Sequence, residues 1–219
     1  MTRLIIVCEG PTEHEFCMDV LAGELSKSDI TVDAPLIKRS QGGIVSWDVL
    51  KRQIVRHLHE RGAYVTMLVD YYGIKDSYNF PGWEEGKAIT DKTKKIHFLF
   101  EKMKNDMPQE VASRFIPYIQ LHEFECLLFS NIDVFRANFG KDEVDMGILQ
   151  SAVNEFPNPE DINKTPNNAP SKRLLRASKN YDKVLYGSYL AIDIGIARIM
   201  EKCPLFNEWV TLLKSISRD

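Results

Sequence analysis

The sequence predicts an α/β fold: a mostly parallel sheet flanked by helices, followed by a C-terminal helical extension. Three observations carry this. Apolar runs rich in strand-forming residues recur at 4–8 (LIIVC), 31–38 (TVDAPLIK), 63–69 (AYVTMLV) and 115–121 (FIPYIQL). Segments with helical periodicity separate them. A strand-helix-strand order that repeats in this way calls for crossover connections, and crossovers join parallel strands.

The elements follow in chain order. Residues 4–8 are apolar without alternation, as expected of a strand covered on both faces. Pro11 suits the first turn of a helix, where its missing N–H costs nothing. That helix is expected to reach about Ser26, with Phe16, Val20, Leu21 and Leu25 on one face. Residues 31–38 read as a second strand, placed at an edge by Pro35. Gln41-Gly42-Gly43 reads as a turn, and 45–61 as a helix with Val45, Val49, Ile54 and Leu58 inward, closed by Gly62. Residues 63–69 form a third strand ending at Asp70. Residues 71–89, rich in glycine and aromatics, read as a long ordered loop of the functional or lid kind. A helix at about 90–105 leads to a strand over 115–121 that ends at His122-Glu123. The remainder reads as helical with a polar break at 157–170. Residues 1–130 are thus expected to form the core, and 131–219 a helical part packed on it.

The 219 residues are enough for one full core. No stretch approaches the ~20 apolar residues that span a bilayer, and the N-terminus lacks the pattern of a secretory signal. Cys8, Cys17, Cys126 and Cys203 have no paired spacing and read as buried free thiols. The expectation is a cytoplasmic protein without a membrane partner. A net charge of -3 provides no global basic field. One basic run stands out: Lys164, Lys172, Arg173, Arg176, Lys179 and Lys183. It reads either as a solvated helix face or as a local nucleic-acid patch.

Acids stand at the ends of the strongest strands: Glu9, Asp70 and Glu123, with Glu125 two residues on. In a parallel sheet such ends share one edge, so the three could converge. Close carboxylates repel, and a divalent cation relieves the repulsion. Such a site polarises a phosphodiester and activates water. The candidates for catalysis and metal binding are Glu9, Asp70 and Glu123, in that order. Acids after strands also cap helices and start turns, and both readings stand for Asp70 taken alone. Gly10 belongs to the turn that sets Glu9 beside backbone N–H groups and a helix N-terminus. Glu13 complements the helix dipole, and Glu125 competes with Glu123 for the same role. His122 is a candidate base or a hydrogen-bonded structural group. There is no GxxxxGK[ST] loop, no GxGxxG after a strand and no GxSxG elbow, so ATP hydrolysis, dinucleotide redox and esterase chemistry lack support.

The strand followed by Glu9-Gly10-Pro11-Thr12-Glu13, with Asp70 after a later strand, resembles the TOPRIM domain of topoisomerases, primases and OLD-type nucleases. Closer still, Glu9 to Glu13, Asp70-Tyr71-Tyr72-Gly73, His122 to Phe129 and the stretch from Lys183 to Trp209 together resemble the TOPRIM-like domain-of-unknown-function family numbered 4276. The TOPRIM resemblance implies a Mg²⁺ (or Mn²⁺) site for phosphoryl transfer, with Glu9 as general acid or base and Asp70 on the metal. Tyr72 stands where a second aspartate is expected, and Glu123 is the candidate replacement. The resemblance further implies a nuclease, a phage-defence effector working with a separately encoded ATPase. Lys172, Arg173 and Lys183 would then contact the nucleic acid. The alternative is a catalytically inactive binding or adaptor module. A third reading is an α/β domain whose acids are caps and whose basic run is solvated. Cys203, Phe206, Trp209 and Leu213 read as core packing.

Overall fold

The structure, a computed structural model, describes residues 1–38, 43–162, 166–178 and 180–216. At its centre lies a four-stranded parallel sheet in the order β2-β1-β3-β4. The strands are β1 (Thr2–Cys8), β2 (Ile30–Asp33), β3 (Ala63–Leu68) and β4 (Phe115–Ile116). The two central strands run side by side from Arg3↔Ala63 to Cys8↔Leu68. Leu4 to Cys8 and Val65 to Leu68 are buried on both faces, which is why they read as unbroken apolar runs.

β1 leads into α1 (Pro11–Phe16), a π-type turn at Cys17–Leu21 and α2 (Ala22–Ser26). Together they make the continuous helical segment expected to end at Ser26, with Phe16, Leu21 and Leu25 buried. β2 is an edge strand, as Pro35 required. It is shorter than 31–38 because Pro35 has no N–H to give to the ladder. Pairing resumes beyond it, where Leu36 bridges Cys8 and the Ile37 N–H donates to the Cys8 carbonyl at 2.9 Å. Gln41 and Gly42 of the expected turn lie outside the described residues. α3 (Trp47–Leu58) buries Trp47, Leu50, Gln53, Ile54 and Leu58. Val45 and Val49, expected inward, are only half-buried.

The segment 71–89 is more ordered than a loop. It holds two short 3₁₀ turns (Tyr71–Gly73, Asp76–Tyr78) and α4 (Trp83–Gly86), knitted by contacts among Tyr71, Tyr72, Phe80 and Trp83. α5 (Lys92–Asn105) and α6 (Gln109–Ala112) follow. The fourth strand is two residues long, not seven, because Pro117 interrupts its ladder. Its line is picked up again only where Gln120 bridges Asp70. A 3₁₀ segment (Phe124–Ser130) then precedes α7 (Asp133–Asn138), α8 (Met146–Glu155), α9 (Pro170–Ala177), α10 (Lys183–Ile194), α11 (Ile196–Lys202) and α12 (Pro204–Ser215).

The C-terminal helices share the sheet's core. On α12 Phe206, Trp209 and Leu213 are buried, as is Cys203 before it. Trp209 Nε1–H donates to Thr66 Oγ1 on β3 at 3.0 Å, and its ring stacks on Tyr118 at 4.2 Å. α10 lies against α1 at Gly187, and Ser188 Oγ donates to Asp19 Oδ2 at 2.9 Å. All four cysteines are buried free thiols. Among the described residues no helix is long and apolar enough to cross a membrane.

Candidate functional site

The pairing of β1 with β3 brings their carboxyl ends together, so Glu9 and Asp70 become neighbours. The Glu9 N–H extends the ladder to the Leu68 carbonyl at 3.1 Å, and the Asp70 N–H donates to Glu9 Oε2 at 2.9 Å. Asp70 in turn anchors the next segment: its Oδ1 accepts the Phe124 N–H at 3.0 Å. Hydrogen bonds Tyr71 N–H to Gln120 O (3.0 Å) and Gln120 N–H to Val69 O (2.8 Å) hold that segment against the end of β3. Gly73 makes room for the Glu9 carboxylate. A Cβ there would stand 3.3 Å from Glu9 Oε1 and 3.1 Å from Ile44 Cγ2.

The charge at this edge is gathered around Lys183, the first residue of α10. Its Nζ stands 3.3 Å from Glu13 Oε1 and 3.3 Å from Glu125 Oε2. Glu13 and Glu125 are buried, whereas the lysine stem is partly exposed. Burial pushes the Asp70 carboxyl well above its ordinary value, and Glu13, Glu9 and Glu125 add to this while Lys183 opposes it. Burial also raises Glu9, against the Asp70 N–H bond, and raises Glu125, against the lysine charge. For Lys183 itself burial acts downward, but Asp70, Glu125 and Glu13 outweigh it and hold the ammonium above the ordinary lysine value.

Two carboxylates, Glu13 and Glu125, thus pair with one ammonium, and its charge is felt by two more, Asp70 and Glu9. Their donors are hard oxygens of the kind Mg²⁺ prefers. Glu125 Oε2 is buried without a hydrogen bond among the described residues, as is Tyr181 Oη nearby. Both residues line a cavity of about 320 Å³ with Glu123, Ser171, Leu175 and Lys183. The donor set therefore fits a hard cation in chemistry. In arrangement, among the described residues, no three His, Cys, Asp or Glu side chains are grouped to hold a metal ion. The lysine supplies the positive charge instead.

The expected trio is brought together only in part. Glu9 and Asp70 adjoin, but Glu123 is engaged by α9, its Oε2 accepting the Ser171 N–H at 2.9 Å, and it reaches the acids only across the cavity it shares with Glu125. The chain turns at His122, whose φ is +73, and Asp70 Oδ1 holds the N–H of Phe124 two residues on, so Glu125 reaches the Lys183 ammonium beside the acids. Gly10 precedes α1 in extended conformation and Glu13 occupies its first turn.

The family model "Domain of unknown function (DUF4276)" matches residues 8–214. The chain belongs to this DUF4276 family. No curated protein and no solved structure matches it.

In this DUF4276 chain the basic run does not form one patch. Lys183 is turned into the acids. Arg173 is buried, its Nη2 bonded to Glu155 at 3.2 Å, its Nε to the Asn168 carbonyl at 3.0 Å, and its plane over Phe156. Arg176 reaches Asn168 Oδ1 at 3.2 Å, and Lys172 is exposed on α9. Lys164 and Lys179 lie outside the described residues. His122 is packed rather than poised: its ring stacks on Tyr72 at 4.9 Å and its Nε2 lies 3.1 Å from Lys92 Nζ. Burial first, and the lysine second, push its pKa down to about 3. The ring is therefore neutral near pH 7, with Nε2 accepting from the ammonium.

Proposed function

We propose that this DUF4276 chain is a divalent-cation-dependent phosphodiesterase acting on nucleic acid. The observation that carries the reading is the pairing of Lys183 with Glu13 and Glu125 next to the linked Glu9 and Asp70, at the carboxyl end of a parallel sheet. That edge is where open α/β sheets gather their ligands. The TOPRIM-like Glu9-Gly10-Pro11-Thr12-Glu13 and Asp70 support Mg²⁺ or Mn²⁺ as the cation. With Tyr72 in the second acidic position, Glu13 and Glu125, whose charges act on Asp70, are the further carboxylates that would hold it. The cation, if held by Glu9, Asp70, Glu13 and Glu125, would polarise a phosphate oxygen and lower the pKa of a bound water. The chain's own residues do the rest. Asp70 N–H fixes the Glu9 carboxylate, whose raised pKa suits it to carry a proton. Lys183, on a partly exposed stem, leaves the acids to meet the phosphate charge. A separately encoded ATPase is the partner this reading takes from the OLD-type resemblance, in the setting of phage defence.

The test is cleavage of mixed DNA and RNA substrates with Mg²⁺ or Mn²⁺. Glu9→Gln and Asp70→Asn, both folded, are each expected to lose cleavage by at least about 100-fold, the usual worth of a positioned proton carrier. A second reading is favoured by the ammonium already in place: an adaptor module whose acids are neutralised by Lys183 and bind no metal. No cleavage by the wild type, together with no calorimetric heat on adding Mg²⁺, would establish that reading instead.

A further inference from the structure

We infer that a cavity beside the acidic edge, lined by Lys38, Arg52 and Arg56, binds the phosphate groups of a nucleic-acid strand. The cavity has a volume of about 360 Å³, and Val49 and Gln53 complete its lining. Two elements build it. Arg52 and Arg56 are one turn apart on α3 and so share a face, where like charges repel. Lys38 follows the extended chain beyond β2. The Cys8↔Leu36 bridge and the Ile37 N–H bond to the Cys8 carbonyl at 2.9 Å bring the chain that leads into Lys38 alongside the end of β1. The cavity therefore adjoins the chain that pairs with the end of β1, the strand from which Glu9 emerges.

Gln53 holds this wall. It is buried, its Oε1 accepts the Lys38 N–H at 2.8 Å, and its Nε2 donates to the Leu36 carbonyl at 3.0 Å. A buried amide that spends both ends on one backbone segment fixes Lys38 against α3. The cations stay unspent. Arg3, Arg136, Arg173 and Arg198 each pair with an acid, whereas Lys38, Arg52 and Arg56 make no ion pair among the described residues. Three unpaired cations converging in one concavity form a phosphate site, and arginine is the side chain best matched to phosphate. The acidic edge alone would repel a polyanion; the cavity beside it attracts one.

This inference rests on the nucleic-acid part of the reading above and not on cleavage, so binding is measured in EDTA. Fluorescence anisotropy with labelled DNA and RNA oligonucleotides compares wild type with the double variant Arg52→Ala/Arg56→Ala and with Lys38→Ala on the other element. The double variant is expected to bind roughly tenfold more weakly at 0.1 M salt, and to flatten the log–log salt slope by about 1.4–1.8. Lys38→Ala should give about half that change in slope. Glu9→Gln, which removes a negative charge from the repelling edge, should bind at least as tightly as wild type even where it has lost cleavage, which separates this site from the chemistry. Absence of binding by the wild type, or unchanged binding by the arginine pair, overturns the inference. So does an equal loss in Lys141→Ala, an exposed cation elsewhere, or a loss confined to Lys172→Ala. Inorganic phosphate or a nucleoside monophosphate that binds where oligonucleotides do not would assign the cavity to a free anion and overturn it as well.

Discussion

Gly187 on α10 faces Thr12 on α1 so closely that a Cβ at the glycine would lie 2.8 Å from Thr12 Cγ2. The same added atom would lie 3.3 Å from Phe124 Cε1. Lys183 stands four residues earlier, on the same face of α10. The approach of these two helices is therefore what delivers the ammonium to Glu13. Gly187→Ala should destabilise the fold by about 1–2 kcal/mol, overpacking outweighing the better helix propensity of alanine. The midpoint of urea unfolding measures it; an unchanged midpoint would mean that the helices part at little cost.

Lys183→Met leaves the acids without their counter-charge. A buried pair broken on one side costs about 3–5 kcal/mol, but the partly exposed lysine stem admits water, so we expect about 1–3. The loss should be largest near pH 8, where the carboxylates are most fully ionised, and shrink toward pH 4 as they protonate. Millimolar Mg²⁺ should restore more stability to the variant than it adds to wild type, which thermal melts with and without the ion will show.

His122 is buried neutral, with its pKa pushed down to about 3 from an ordinary 6.5. The unfolded chain takes up the proton first, so the stability due to this group is present above pH 6.5. It is lost as pH falls from 6.5 toward 3. Its imidazole resonances should show no titration step between pH 8 and 5. His122→Asn, which tolerates the left-handed backbone, should remove that part of the acid-side loss.

Glu160 works in the opposite sense. Its carboxylate receives the Leu205 and Phe206 N–H groups at the start of α12, at 2.9 and 3.0 Å. Burial still raises its pKa to about 7 from 4.5. The fold prefers the protonated form, so this contribution is full below pH 4.5 and is lost as pH rises through 7. Glu160→Gln should flatten the decline over that window, read from unfolding midpoints at several pH values. Between pH 4.5 and 6.5 it and His122 offset one another, so each variant exposes the slope of the other.

The parts of the fold legible in the sequence are those fixed by nearby residues. β1 and β3 show themselves because both faces are buried, and Glu9 and Asp70 follow as the residues after them. Pro35 marks an edge strand. Pro117 carries the same message for β4, yet the apolar run around it reads as one long strand, since burial there comes from helices and not from pairing. The choice between Glu123 and Glu125 hangs on one left-handed residue, His122, which no periodicity encodes. Lys183 looks like one more cation in a basic run because only the docking of α10 on α1 turns it inward. Arg52 and Arg56 look like the wet side of α3 until Lys38, 14 and 18 positions earlier, is seen across from them.

Both borders of the sheet are short and guarded by proline. β2 has four residues before Pro35, and β4 has two before Pro117. A strand arriving from another molecule finds few consecutive free N–H and C=O groups to copy at either side. The long, apolar central strands, which would make strong templates for cross-β stacking, are paired on both sides and kept from contact with other chains. The two prolines thus act as gatekeepers against self-templated aggregation, a role separate from any chemistry at the acidic edge.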